Sequence, residues 1–103
     1  MEDGGFVTVG RVDDIPPGTL RTVSANGEEI TLAHCDGGIH ATQAHCIHLQ
    51  GPLGEGSLEG CVLTCPWHGW QYDVRTGENE FDRAIRLRTY EVDVVDGEIR
   101  VRA

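Results

Sequence analysis

The sequence predicts an all-β fold, an antiparallel β-sandwich or barrel formed by a single domain over residues 1–103. Short segments of β-prone residues are separated by Asn26-Gly27, Asp36-Gly37 and Asp96-Gly97, and dipeptides of this kind join the strands of tight hairpins. The chain has 14 glycines and 4 prolines, and no strongly amphipathic helical stretch interrupts the pattern. Strands that recur roughly every eight to twelve residues are typical of small sandwiches and barrels.

Each element follows from local composition. Phe6–Val9 is rich in β-branched and aromatic residues and is followed by the break Pro16-Pro17-Gly18. Leu20–Ser24 and Glu29–Ala33 flank Asn26-Gly27, where Gly27 accepts a positive φ without a Cβ penalty. These segments therefore predict a first strand and then a hairpin.

The second half of the chain repeats this arrangement. Ile39–Ala44 follows the turn Asp36-Gly37-Gly38, and two short β-rich runs follow at Cys61–Thr64 and Trp70–Val74. Leu87–Val95 and Glu98–Val101 flank Asp96-Gly97 and predict the last hairpin. Residues 51–60 form a glycine-rich connection with room for one helical turn. The core residues expected in the last hairpin are Leu87, Val92, Val94, Ile99 and Val101.

The charge balance excludes several classes of partner. The chain has 17 acidic residues, eight arginines and no lysine, for a net charge of −9. An acidic surface repels nucleic-acid phosphates and anionic membranes, and it speeds encounter with a basic protein.

No apolar run approaches the roughly 20 residues that span a bilayer, and the acidic residues 1–5 do not resemble a secretory, twin-arginine or transit signal. We therefore expect a cytoplasmic protein that binds neither nucleic acid nor membrane.

Four cysteines provide the strongest chemical signal. Cys35, Cys46, Cys61 and Cys65 could form two disulfides in a secreted protein, whereas metal binding is favoured in a cytoplasmic one. Two of them have a histidine at short spacing, in Cys46-Ile47-His48 and in Cys65-Pro66-Trp67-His68. Each tight loop thus offers one thiolate and one imidazole to borderline and soft metals, and Gly51 and Gly69 allow close approach of the backbone.

The order of these ligands differs from that of common zinc fingers, in which two cysteines precede two histidines. Together with Gly69-Trp70-Gln71-Tyr72-Asp73 and Thr76-Gly77, the two loops resemble the signature of Rieske iron–sulfur proteins. The resemblance implies a small cluster-binding subdomain, about residues 44–77, formed by the two loops. It also implies one [2Fe–2S] cluster per chain, with Cys46 and Cys65 on one iron and His48 and His68 on the other.

The surrounding residues are similar to those of the low-potential, oxygenase-associated kind of Rieske ferredoxin. Respiratory Rieske proteins carry a disulfide between the two loops, but Gly51 and Trp67 stand at those positions here. Trp70 replaces a serine that hydrogen-bonds a cluster sulfide, so we expect a potential near the roughly −150 mV end of the Rieske range. Tyr72 is expected to donate to a cysteine sulfur, and Asp73 to stabilise the turn that ends at Gly77.

The resemblance implies a one-electron carrier rather than an enzyme. Such a monomeric ferredoxin takes electrons from a flavin-dependent NAD(P)H reductase and passes them to a terminal oxygenase. One alternative is the small electron-transfer subunit of a larger oxidoreductase such as nitrite reductase. Two others are the Rieske domain of an oxygenase catalytic subunit, which the end of the chain at Ala103 disfavours, and a zinc-binding module.

The remaining cysteines and histidines are given structural roles. Cys35 and Cys61 are expected to be small buried side chains. His34 and His40 flank a hairpin, but no facial triad with a carboxylate marks a mononuclear iron site. His45 is expected to point away from its neighbour Cys46, as adjacent residues do on an extended chain. Trp67 is expected to pack over the cluster; the alternative is a partly exposed anchor for a docking partner.

Overall fold

The computed structural model describes residues 5–46, 51–67 and 69–102, and nearly all of its regular structure is β. Within the described residues, none of the helical segments is long and apolar enough to cross a membrane. Two 3₁₀ turns lie at Val12–Asp14 and Leu53–Glu55. The strands are β1 Phe6–Arg11, β2 Leu20–Ala25, β3 Glu28–Cys35, β4 Gly38–Gln43, β5 Ser57–Glu59, β6 Val62–Thr64, β7 Gln71–Asp73, β8 Thr89–Val95 and β9 Glu98–Arg102.

Six strands form one antiparallel sheet in the order β1-β9-β8-β4-β3-β2. Its two outer strands, β1 and β2, also contact each other, so the sheet curls into a nearly closed barrel. Side chains from facing strands fill the interior, as alternation along each strand requires. Among them Ile30, Leu32, Ile99 and Val101 are fully buried.

The three hairpin turns predicted from the sequence are confirmed. Each pairs a left-handed non-glycine residue with a left-handed glycine: Asn26 has φ 53° and Gly27 has φ 80°. Asp36-Gly37 and Asp96-Gly97 repeat this conformation. Two successive positive φ angles define the turn whose twist matches that of the flanking strands.

A second, three-stranded sheet in the order β5-β6-β7 supports the loops that carry the metal-ligand motifs. Its core is separate from that of the barrel and includes Leu53, Leu63, Tyr72 and Val74, each at most 1% exposed. Because β6 ends at Thr64 and β7 begins at Gln71, this sheet holds both ends of the second cysteine–histidine loop.

The structure corrects two details of the sequence-based prediction. Strand β5 lies inside the glycine-rich connection, where only a helical turn was expected; that turn is present at Leu53–Glu55. Val94 was expected in the core but is 44% exposed. It lies beyond the part of β8 that pairs with β4, which is limited to Thr89 and Tyr90, so the far end of the strand is left uncovered. Leu87, Ile99 and Val101 are buried, and Val92 packs partly buried against the barrel core.

Candidate metal centre

The first cysteine–histidine loop leaves β4 and is closed at its base by backbone hydrogen bonds. The amide of Cys46 donates to the carbonyl of Gly51 at 2.8 Å, and the amide of Leu53 donates to the carbonyl of Ala44 at 2.9 Å. Cys46 is 1% exposed and is not part of a disulfide. The loop base thus holds a buried thiol next to Gly51.

The second loop joins β6 to β7 and is closed in the same way. The amide of Cys65 donates to the carbonyl of Trp70 at 2.8 Å, and the amide of Gly69 donates to the carbonyl of Cys65 at 3.1 Å. Gly69 has φ 74°, a conformation that glycine adopts without strain. Cys65 is 2% exposed and likewise outside any disulfide.

The two loops meet at Gly51. A Cβ on this glycine would lie 2.7 Å from Sγ of Cys65 and 3.2 Å from Cγ of Trp67. The residue that closes the first loop therefore packs directly against the thiol of the second, and only a hydrogen fits between them. This confirms the close approach of the backbone that was expected at Gly51.

Tyr72 connects the small sheet to the first thiol. Its hydroxyl lies 3.1 Å from Sγ of Cys46, and the tyrosine side chain is fully buried. Burial, followed by the hydrogen bond with Cys46, raises the pKa of Tyr72. The phenol therefore keeps its proton and would be the donor to a Cys46 thiolate. The predicted contact of Tyr72 with a cysteine sulfur is confirmed.

The structure brings together the two predicted cysteine ligands, whereas the predicted histidine ligands His48 and His68 lie outside the described residues. The site contains two buried thiols, with a phenol hydroxyl beside one and a glycine packed against the other. These features fit a metal centre bound by thiolates. Thiolates are preferred ligands of iron–sulfur clusters and other soft metal sites.

The family model for the Rieske [2Fe–2S] domain matches residues 5–91. The chain belongs to the Rieske [2Fe–2S] domain family. The match covers both loops, the small sheet and most of the barrel.

Relatives of this Rieske domain include ferredoxin components of oxygenase systems. It is 42% identical over 67 residues to the ferredoxin component of naphthalene 1,2-dioxygenase/salicylate 5-hydroxylase systems from Ralstonia sp., with 65% of this chain and 64% of that protein covered. It is 34% identical over 98 residues to the ferredoxin CarAc of Metapseudomonas resinovorans, with 93% and 92% covered.

Solved structures show the same fold. A complex of reduced oxygenase and oxidized ferredoxin in carbazole 1,9a-dioxygenase contains a chain that superposes with a TM-score of 0.87 at 31% identity, with 97% of this chain and 94% of that one covered. A putative nitrite reductase small subunit superposes with a TM-score of 0.84 at 23% identity, covering 95% and 98%. The latter likeness concerns the fold alone.

Electron transfer to an oxygenase is the role that the ferredoxin relatives support for this Rieske domain, and those relatives are electron-carrier components rather than catalytic subunits. The cofactor of the domain is a [2Fe–2S] cluster, which when bound accepts and releases one electron at a time. Cys46 and Cys65 would present buried sulfurs to this group, and the hydroxyl of Tyr72 would donate a hydrogen bond to one of them. Such a donor stabilises negative charge on the sulfur and therefore favours the reduced state.

The other two cysteines are joined in a pairing that the sequence analysis did not predict. Cys35 and Cys61 are buried, as expected, but they form a disulfide across 26 residues of sequence. The turn after β3 and the turn before β6 bring their Cα atoms to 5.4 Å, which is within the usual range for a bridge. This disulfide lies outside the two cysteine–histidine loops.

The structure also places the remaining histidines and Trp67. Nδ1 of His34 lies 2.6 Å from the carbonyl oxygen of Ile15, and His40 faces the disulfide. The His45 side chain is 43% exposed, 3.8 Å from Glu29, while Cys46 is buried, so the two neighbours point apart as predicted. Trp67 is 56% exposed; its inner atoms lie against Gly51, and much of its ring faces solvent.

Proposed function

We propose that this chain carries single electrons from a flavin-dependent NAD(P)H reductase to a terminal oxygenase, as a cytoplasmic monomer with one domain over residues 1–103. Cys46 and His48 from the first loop and Cys65 and His68 from the second are the proposed cluster ligands, within a subdomain of about residues 44–77. The observation that carries this proposal is the likeness to CarAc along nearly the full length of both chains.

The geometry of the two cysteines supports the ligand assignment. Both thiols are buried, neither is in a disulfide, and Gly51 is in close contact with the second. Cys35 and Cys61, the other cysteines of the chain, are joined to each other. Cys46 and Cys65 are therefore the two sulfurs available for the cluster, and each belongs to a motif that also contains a histidine.

The surface around the loops supports transient docking. Trp67 lies between two proposed ligands and is 56% exposed, and Phe81, two residues beyond the buried Asn79, is 76% exposed. Exposed aromatic side chains are frequent anchors of protein interfaces. The net charge of −9 would accelerate encounter with a basic patch on an oxygenase or reductase.

We also propose that this is a low-potential centre without a disulfide between its cluster loops. Gly51 and Trp67 occupy the positions at which the respiratory kind has the two bridging cysteines. Trp70 follows His68-Gly69 and has no hydroxyl to offer a sulfide, so Tyr72 is the proposed hydroxyl donor to the ligands.

Spectroscopy of ligand variants tests the site. The holoprotein should be coloured when oxidised and show the low average g value of a Rieske centre when reduced. His48→Ala and His68→Ala should each remove this signal, while His34→Ala, a control outside the motifs, should retain it. A colourless protein with stoichiometric zinc, or an unchanged signal in either ligand variant, would contradict the assignment.

Reconstitution tests the carrier role. The holoprotein, mixed with the reductase and oxygenase of a carbazole or naphthalene dioxygenase system in place of their own ferredoxin, should support NADH-dependent product formation. Gel filtration should show a monomer. If the native protein is always isolated as part of a large reductase, the bound-subunit alternative is correct instead.

A further inference from the structure

The Cys35–Cys61 disulfide has a third potential metal ligand beside it. The two sulfurs and a ring nitrogen of His40 all lie within 4.8 Å of one another. Cys35 ends β3, His40 lies in β4, and Cys61 precedes β6. Residues from both sheets therefore converge on one point, separate from the two cysteine–histidine loops.

We propose that Cys35, Cys61 and His40 form a second metal site, which binds a thiophilic divalent cation such as Zn²⁺ once the disulfide has been reduced. Two thiolates and one imidazole are a ligand set that zinc favours. This inference does not rest on the proposed electron-carrier function.

The spacing suits tetrahedral coordination. Zinc–sulfur bonds of about 2.3 Å and zinc–nitrogen bonds of about 2.0 Å place neighbouring ligand atoms roughly 3.5–3.8 Å apart. The imidazole nitrogen and the two sulfurs lie within 4.8 Å of one another, close to these distances, and the Cα separation of 5.4 Å leaves room for the sulfurs to move apart by side-chain rotation after reduction.

The surroundings provide access and favourable charge. A surface depression of about 260 Å³ is lined by Asp36, Gly60, Cys61 and Arg75, so an ion can reach the sulfur from solvent. The positive charge of Arg75 is offset by Asp73, at 2.9 Å, and by Asp36, at 4.0 Å. The carboxylate of Asp36, next to Cys35 in sequence, or a water would complete the coordination.

A dithiol can serve as the reductant of the Cys35–Cys61 disulfide. The dithiol gives two electrons and two protons to the S–S bond, which breaks into two thiols while the dithiol closes to its own disulfide. Zn²⁺ then displaces the two thiol protons. The cross-link between the β3–β4 turn and the β5–β6 turn is thus kept under oxidising conditions by sulfur–sulfur bonding and under reducing conditions by sulfur–metal–sulfur bonding.

The test uses the cluster-loaded protein, so that the proposed cluster ligands are occupied. After treatment with a dithiol and its removal under anaerobic conditions, native mass spectrometry should show one Zn²⁺ per chain with iron retained, and untreated protein should bind none. His40→Ala should weaken zinc binding at least tenfold, and His34→Ala, the matched control, should not. The double variant Cys35→Ser, Cys61→Ser should bind none.

Several outcomes would overturn the proposal. These are no zinc after reduction, equal zinc with the disulfide intact, zinc gained only as iron is lost, or unchanged zinc affinity in His40→Ala. Because His40→Ala keeps the disulfide until the dithiol is added, this arm remains decisive even if the double variant fails to fold. Loss of iron in every preparation, with or without the dithiol, would count against the proposed cluster ligands, and the zinc measurements would still decide the second site.

Discussion

The hydroxyl of Tyr72 lies 3.1 Å from Sγ of Cys46, and both side chains are fully buried. This contact joins the middle of the small sheet to the first cysteine–histidine loop, across 26 positions of sequence. A hydrogen bond to sulfur stabilises the more negative, reduced form of an iron–sulfur centre. The pair therefore links the fold to the reduction potential.

Tyr72→Phe removes the donor while keeping the ring, and it should lower the reduction potential. A differential stabilisation of about 1.4 kcal/mol corresponds to roughly 59 mV for one electron, so we expect a decrease of several tens of millivolts. A redox titration measures it. Tyr90→Phe is the matched control, because Tyr90 lies on β8 beneath the guanidinium of Arg88, and it should leave the potential unchanged. Equal potentials in the natural protein and in both variants would refute the role of Tyr72.

Gly51→Ala should impair cluster loading. The added methyl group would lie 2.7 Å from Sγ of Cys65, and overpacking of this kind typically costs about 1–3 kcal/mol. Iron per chain after purification is the measurement, and it should fall relative to Gly38→Ala. At Gly38 an added Cβ meets no atom within 4 Å, so full iron content in both variants would show that Cys65 does not need this contact.

Asp73 gives a pH-dependent contribution to stability. Its carboxylate accepts hydrogen bonds from Arg75, which lower the pKa of Asp73. A carboxyl whose pKa is lowered on folding stabilises the protein above its ordinary pKa, and this contribution is lost as the pH falls through the lowered value. Asp73→Asn should therefore be less stable than the natural protein at pH 7, and the difference should shrink on acidification.

Urea unfolding at a series of pH values from neutral to strongly acidic measures this difference. Asp93→Asn, at an exposed position on β8, is the control variant. It shows how far acid alone changes the stability of the protein, for example through damage to the cluster. If the difference between Asp73→Asn and the natural protein stayed constant with pH, the pairing with Arg75 would not be its source.

The disulfide should stabilise the fold without holding the cluster. For the 26-residue separation of Cys35 and Cys61, loop closure in the unfolded chain predicts a loss of about 3.5 kcal/mol when both are replaced by serine. Chemical denaturation in metal-free buffer measures this loss, and the Rieske spectrum should remain. Treatment with a dithiol should lower the free energy of unfolding of the natural protein to nearly that of the variant. Loss of the Rieske spectrum in the variant would show that these cysteines serve the cluster.

Much of the fold could be predicted because its hairpins are encoded locally. Asn26-Gly27 and Asp96-Gly97 adopt the left-handed turn conformation that their composition favours. Strand β5 was missed because it is only three residues long and lies among glycines. The exposure of Val94 was missed because strand alternation does not reveal how far a neighbouring strand extends.

In the candidate site, too, local motifs could be predicted from the sequence, whereas contacts between distant segments could not. The spacing of Cys46 and Cys65 from their histidines indicated the ligand motifs, and the assignment of the four ligands stays a prediction. Tyr72 was correctly expected to reach a cysteine sulfur. The pairing of Cys35 with Cys61 was missed because it depends on how two turns from different sheets meet. The proximity of each cysteine to a turn glycine, Gly37 or Gly60, was the available signal, but it does not specify a partner.

The closure of both cysteine–histidine loops at their bases has a kinetic consequence. The amides of Cys46 and Cys65 are each held by a 2.8 Å hydrogen bond to the far side of their own loop. Electron transfer is slowed when atoms around a centre must move between its two charge states, and groups that are already fixed in place avoid that cost. Restraint of these two peptide groups should keep nuclear reorganisation small, which would suit the proposed exchange of an electron within a brief encounter.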